Sequence, residues 1–283
     1  QALDIKPDYA EAHYNLGNAL RENDQLDAAV RQYEKVITIK PDSADVHNNL
    51  GNVLKELGQL DAAVKSYEKA LAIEDENPEI HNNLGIALHK LGQMDDAINC
   101  YEKTLAIKPE HADAYNNLGV TFRELGQLNE AVKQYKKSLT IKPDFTIALN
   151  NLGFAHQELG QIDDAIKQYE KALAINPSYV LAYFNLSTIK QYTISDDQIA
   201  KMQSLLSTGN LSQSERIHLC FALANMYENL GNQDELFKFL NEGNQLRKEE
   251  LNYSHNTSQD LSSNVRELFS SPPSNIAKSL SYE

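Results

Sequence analysis

The sequence predicts an all-α fold, a solenoid of about seven stacked helix pairs wound as a right-handed superhelix. Three observations predict it. Asn-Leu recurs at Asn15-Leu16, Asn49-Leu50, Asn83-Leu84, Asn117-Leu118, Asn151-Leu152 and Asn185-Leu186, a step of 34 residues each time. Gly17, Gly51, Gly85, Gly119 and Gly153 keep the same step, as do Ala29, Ala63, Ala97, Ala131 and Ala165, and Tyr33, Tyr67, Tyr101, Tyr135 and Tyr169. Within each unit the apolar residues fall at helical spacing in two stretches divided by a turn. A fixed period of this length marks a repeated supersecondary unit that buries its apolar face only against its neighbours.

The elements follow in order. Residues 1–9 match the end of another unit, so the array is expected to begin upstream of Gln1. Residues 10–179 make five regular units. In the unit from Ala112 to Phe145, a first helix spans Ala112 to Leu125, with Ala114, Tyr115, Leu118, Gly119 and Phe122 on one stripe. Gly126-Gln127 breaks it, because glycine tolerates the left-handed backbone of a helix C-terminus. A second helix starts at Leu128, carries Ala131, Val132, Tyr135, Leu139 and Ile141, and stops at Lys142-Pro143. Proline cannot continue a helix, and it biases the residue before it away from one. Gly119 and Ala131 stand where the helices must approach closely. Residues 180–252 keep the pattern loosely and predict two degenerate pairs, the sixth with its second helix near Asp197 to Leu206 and the seventh from Glu215 to Leu251. Residues 253–263 are polar and linker-like, Val265 to Phe269 allow a short helix, and Pro272-Pro273 mark a loose tail.

Composition narrows the function. The 283 residues carry 26 basic and 40 acidic side chains, a formal net charge of −14. This balance excludes a phosphate-backbone binder and an anionic membrane surface, so neither nucleic acid nor membrane is an expected partner. No apolar run is long enough to span a bilayer. Cys100 and Cys220 are isolated, which excludes a disulfide framework and a CxxC metal or redox site. The sequence does not fix a compartment; the cytoplasm is favoured.

The Leu-Gly pair, the alanine, the tyrosine and the closing proline (Pro7, Pro41, Pro109, Pro143, Pro177) resemble the tetratricopeptide repeat (TPR) signature over five units. His13, His47 and His81 depart from it where an aromatic is usual, and Asp24 where a glycine is usual. The resemblance implies that the first helix of each unit lines a concave groove. The second place of the unit then gives Glu11, Asp45, Glu79, Asp113, Ile147 and Leu181. The fifth gives Tyr14, Asn48, Asn82, Asn116, Asn150 and Phe184, and the sixth gives the column Asn15, Asn49, Asn83, Asn117, Asn151 and Asn185. The ninth includes Asn18 and Asn52, and the twelfth gives Arg21, Lys55, His89, Arg123, Gln157 and Gln191.

A carboxamide offers two donors and an acceptor, so a column of asparagines can pair with both the N–H and the C=O groups of an extended peptide. The array resembles the TPR region of O-linked N-acetylglucosamine transferases, in which an asparagine ladder holds peptide backbones. The competing reading makes the same asparagines family consensus, tying successive first helices together. The expected ligand is an extended peptide or protein segment, neutral to basic given the acidic second places, with self-association as the alternative. The lysines of the TPR clamp for acidic chaperone tails are missing.

No motif for catalysis or for a cofactor is present: there is no HExxH, glycine-rich phosphate loop or GxSxG elbow. The histidine column is too widely spaced to share one metal ion. Asp95-Asp96 and Asp163-Asp164 open second helices, where acids favour the dipole and are expected to cap N–H groups. The segment carrying Glu215-Arg216, Leu219, Phe221-Ala222-Leu223-Ala224, Tyr227-Glu228, Gly231, Gly243-Asn244, Arg247 and Asn252-Tyr253 resembles the linker that joins TPR arrays to a sulfotransferase domain in bacterial fusions. That resemblance implies a non-catalytic portion of a larger sulfotransferase-like protein, with that domain as an intramolecular partner.

Overall fold

The computed structural model describes residues 9–193, 197–208 and 210–251. Of the expected end of a preceding helix at 1–9 only Tyr9 is described, as the residue before the helix Ala10–Glu22; the linker from 253 and the short helix at 265–269 lie outside the described residues. The described residues form fourteen α-helices and no strand. Two compact units divide the chain, residues 1–175 and 176–283.

The first unit holds ten helices in five pairs: α1 (Ala10–Glu22) with α2 (Leu26–Ile39), α3 (Ala44–Glu56) with α4 (Leu60–Ile73), α5 (Pro78–Lys90) with α6 (Met94–Ile107), α7 (Ala112–Glu124) with α8 (Leu128–Ile141), and α9 (Thr146–Glu158) with α10 (Ile162–Ile175). The second helices α2, α4, α6 and α8 each also pack on the next first helix, which makes the unit a helical solenoid. The turn inside each pair needs one left-handed residue. Gly58 supplies it at φ 75°, and the Gln59 N–H then closes back on the Leu54 carbonyl at 2.8 Å. In the first pair Asp24 holds the same place at φ 57°. The turn between pairs ends at proline or close to it, and histidines secure two of these turns. His47 Nε2 donates to the Pro41 carbonyl at 3.0 Å and His81 Nε2 to the Asp75 carbonyl at 2.8 Å. His13 sits 2.7 Å from Gln32 on the paired helix. The acids at the starts of second helices do not cap. At α6 the N-cap residue is Gln93, without a side-chain bond, and Asp95 and Asp96 lie in the first turn, where charge alone meets the dipole.

The core is a column of tyrosines. Tyr33, Tyr67, Tyr101, Tyr135 and Tyr169 are almost wholly buried, as is the alanine column beside them. Each ring lies on the glycine of its paired first helix. A Cβ added at Gly85 or Gly119 would stand 2.6 Å from the ring of Tyr101 or Tyr135. Sequence spacing pairs these glycines with the alanines; the structure shows the tyrosine ring as the group that needs the space. The hydroxyls fare unequally. Tyr33 donates to Asn18 Oδ1 at 2.6 Å and Tyr67 to Asn52 Oδ1 at 2.8 Å. Tyr169 reaches Gln157 at 3.0 Å. At Tyr135 the ninth-place residue is Val120, and its buried hydroxyl has no partner among the described residues.

The second unit contains α11 (Val180–Ser187), α12 (Gln198–Ser207), α13 (Gln213–Asn229) and α14 (Gln233–Glu250). Helices α13 and α14 form a long hairpin. Ser212 and Glu215 form a reciprocal capping box at the start of α13. Helices α11 and α12 differ from a regular pair: both pack on α13 rather than closing on each other. Ser187 stands in the glycine place, and its Oγ bonds the Phe184 carbonyl and accepts from Asn225. The glycine-and-ring contact of the regular pairs is therefore missing from this pair.

Removing an unpartnered hydroxyl should be free of penalty, while removing a bonded one should not. Tyr67→Phe is expected to lower stability by about 1 kcal/mol and Tyr135→Phe to leave it unchanged or slightly raised. Urea unfolding followed by circular dichroism checks both. Equal losses at the two positions would contradict the assignment.

Candidate functional site

The first helices of the first unit share a face, and asparagines organise it. From the second unit to the fifth, the sixth-place amide donates to the fifth-place residue of the unit before. Asn49 Nδ2 reaches Tyr14 Oη at 2.9 Å, Asn83 reaches Asn48 Oδ1 at 3.1 Å, Asn117 reaches Asn82 Oδ1 at 3.2 Å, and Asn151 reaches Asn116 Oδ1 at 2.9 Å. The column is thus a ladder whose rungs join neighbouring repeats. Its two halves differ in exposure: Asn82, Asn116 and Asn150 are buried, whereas Asn49, Asn83, Asn117 and Asn151 are half-buried. Asn15, with no preceding described unit to bond, is exposed. Asn185 is half-buried in the second unit.

Each rung uses one N–H of the half-buried amide. Among the described residues nothing donates to Oδ1 of Asn49, Asn83 or Asn151, and Oδ1 of Asn117 has only a long 3.5 Å contact from Asn116. At the ninth place the arrangement is inverted. Asn18 and Asn52 accept from the tyrosines through Oδ1, and their Nδ2 groups have no protein acceptor among the described residues. The face therefore presents fixed carbonyl-type acceptors beside fixed N–H donors.

Charge runs along both edges. The second-place acids Glu11, Asp45, Glu79 and Asp113 are all exposed, one helix length from the twelfth-place cations, about 15 Å along each axis. A cavity of about 500 Å³ opens between α1 and α3, lined by Tyr9, Glu11, Tyr14, Lys40, Asp45 and Val46 among others. Glu79 is engaged within the protein, by Lys108 at 3.0 Å and His111 at 3.2 Å. Burial pushes its carboxyl upward, but the bonds from Lys108 and His111 outweigh that and hold it below the usual glutamate value. At the other edge Arg21 makes a forked pair with Glu56 of the next unit, its Nε 3.1 and 3.2 Å from the two oxygens. His89 sets Nε2 3.1 Å from Glu124 and Nδ1 2.9 Å from Thr121, also in the next unit. Arg123 lies over the Phe154 ring at 4.8 Å. Sequence spacing found the twelfth-place cations but missed the thirteenth-place partners of Arg21 and His89; the signal was the recurrence of Glu56 and Glu124 one residue further on.

Among the described residues no group of histidine, cysteine and acidic side chains could hold a metal ion, and no helix is long and apolar enough to cross a membrane. Burial raises the thiol of Cys100 to about 11 and that of Cys220 to about 12, far from a reactive thiolate.

Family models described as TPR repeat match residues 17–58 and 51–92, and models described as tetratricopeptide repeat match 1–31, 76–144 and 146–179. No curated protein sequence matches the chain. Among solved structures, a crystal structure of MamA is similar at 28% identity and TM-score 0.52, covering 57% of this chain and 94% of that one. YrrB, described as a TPR protein with an unusual peptide-binding site, is 25% identical with TM-score 0.50, covering 64% of this chain and 93% of that one. A thermophilic TPR protein of Thermus thermophilus shares the fold at 19% identity and TM-score 0.54, covering 64% of this chain and 98% of that one.

The rungs carry a stability prediction. Asn117→Ala strands the buried Asn82 Oδ1 and is expected to destabilise the chain by about 1–3 kcal/mol. Asn15→Ala, at an exposed amide, is expected to stay within about 0.5 kcal/mol of the parent. Thermal and urea unfolding compare the two.

Proposed function

The chain belongs to the tetratricopeptide repeat family, and from that premise we propose that it is a protein-interaction module which holds an extended peptide or protein segment along its first-helix face. The supporting observation is the ladder itself. Its rungs immobilise the amides of Asn49, Asn83, Asn117 and Asn151 before a ligand arrives, and among the described residues they leave Oδ1 of Asn49, Asn83 and Asn151 without a protein donor while Nδ2 of Asn18 and Asn52 lacks a protein acceptor. Amides already fixed lose little entropy on binding, so more of each bond's energy appears as affinity. Backbone pairing of this kind reads main-chain N–H and C=O groups and tolerates many sequences. The exposed Glu11 and Asp45 beside the cavity between α1 and α3 suit a basic side chain there. The similarity to YrrB, described as having a peptide-binding site, points to the same kind of ligand.

A second reading has its own support. The rung bonds join repeat to repeat, so the asparagines also serve an array that braces a neighbouring domain or a second copy of itself. The resemblance of residues 215–253 to the linker of TPR–sulfotransferase fusions puts a sulfotransferase-like domain among the candidates for that neighbour, and the downstream coding sequence tests it.

A peptide array separates the readings. The triple variant Asn49→Ala, Asn83→Ala, Asn151→Ala should bind array peptides about tenfold or more weakly, each lost bond contributing about 0.5–1.5 kcal/mol. Binding is measured well below the unfolding temperature, with helix content checked by circular dichroism. If the amides serve only the stack, the unfolding temperature drops and affinity at low temperature does not. Light scattering on the same chain reads self-association directly.

A further inference from the structure

One junction sets like charges at a place where two others hold an ion pair. The twelfth-place cation of one unit meets the thirteenth-place acid of the next at Arg21–Glu56 and at His89–Glu124. Between them stands Lys55, and the thirteenth-place residue opposite it is Lys90. Two cations face each other where neighbouring junctions have an ion pair. The nearest acid in the row, Glu56, is already held in the fork of Arg21.

The setting of Lys55 makes the break consequential. The side chain is half-buried on the asparagine face. Its ammonium has one long contact, 3.4 Å to Asn52 Oδ1, an atom that already accepts the Tyr67 hydroxyl at 2.8 Å. The Tyr67 ring centroid lies 6.0 Å away. Of three ammonium donors, at least two therefore have no protein acceptor among the described residues. Burial, and next the charge of Lys90, hold the lysine below its ordinary pKa. A partly desolvated cation with unused donors and a like-charged neighbour is relieved by an anion, and bonds between charged groups are roughly twice as strong as neutral ones.

We propose that Lys55, with Lys90 beside it, is the receptor for a carboxylate of the bound segment, so that ligands of this face carry an acidic group at the junction of the second and third repeats. The assignment rests on the peptide-binding reading and adds polarity to it. The acids at the helix N-termini accept neutral or basic parts of a ligand, and the paired cations on the opposite edge call for an acid. The carboxylate comes from an Asp or Glu side chain or from a free chain end.

Selection from a displayed library of random dodecapeptides, tethered at both ends so that only side-chain carboxylates are offered, tests the site. The parent chain should enrich Asp and Glu at one position over the input library. Lys55→Gln should recover peptides without that enrichment. Lys90→Glu should do the same while keeping or raising the unfolding temperature, because it builds the pair found at Arg21–Glu56 and fills the site from within. A selected peptide, synthesised with Glu changed to Gln, should bind the parent about tenfold more weakly and bind Lys55→Gln as the acidic form does. Free-acid and amidated forms of that Gln peptide then distinguish a chain end from a side chain. Peptides recovered without acidic enrichment, or enrichment that survives Lys55→Gln, overturn the site and leave the peptide-binding reading standing. Failure to recover any peptide overturns both.

Discussion

Each regular repeat depends on one contact, a tyrosine ring laid on a bare glycine Cα. A methyl group at that glycine would stand 2.6–2.8 Å from the ring, closer than any packed carbon, and overpacking of this kind costs about 1–3 kcal/mol. The contact brings the paired helices close enough to bury the tyrosine column and the alanine column together. It also aims each tyrosine hydroxyl at the first-helix face. Where an asparagine stands at the ninth place, as Asn18 and Asn52 do, the hydroxyl fixes that amide from behind. Core packing and presentation of the face are thus one arrangement. Where the contact is missing, at Ser187, the pair does not close as the others do.

The asparagine ladder has the same double character. A rung is a bond within the scaffold, and a rung is also what stops a groove amide from rotating. The two roles conflict only if a rung consumes the whole amide, and it does not: one N–H of Asn83 is used on Asn48 while no described residue donates to its Oδ1. Burial divides the labour further. The fifth-place amides Asn82 and Asn116 sit inside as acceptors, and the half-buried sixth-place amides stand in front of them. Repeats that each contact only their neighbours need some device to keep successive first helices in register, and a hydrogen bond with a definite donor and acceptor is more directional than apolar contact.

Most of the fold was legible because its signals were periodic and chemically distinct. Proline and the left-handed glycines mark the turns, and the first and second helices begin and end within a residue of where the spacing puts them, as at Ala112–Glu124 and Leu128–Ile141. The face was legible only as a set of places. Spacing put Asn82 and Asn83 side by side, but it did not reveal that one would be buried and the other half-exposed, because that depends on the angle at which the next repeat stacks. Cross-repeat partners 35 residues apart, such as Arg21 and Glu56, belong to no helical period and were missed. Acids at the starts of second helices looked like caps and are not, since the N-cap falls on Gln93 and its equivalents, one residue before the helix begins. The α11–α12 segment lost the pattern residues, and with them the geometry that the pattern encodes.

The broken pair at Lys55 follows from treating the array as its own control. In an irregular protein a half-buried lysine with spare donors has no reference. Here the same place occurs in neighbouring repeats, and in two of them the cation is met by an acid in the next repeat. The stack therefore tolerates an ion pair at this point, and a glutamate in place of Lys90 would meet no obvious steric bar, since position 90 is exposed. Like charges so placed oppose folding slightly, by an amount that surface screening keeps small. The mild destabilisation is what an anion would remove on binding beside Lys55. A scaffold built from near-identical parts can acquire selectivity by a single departure from its own rule, without a change in the backbone that carries it.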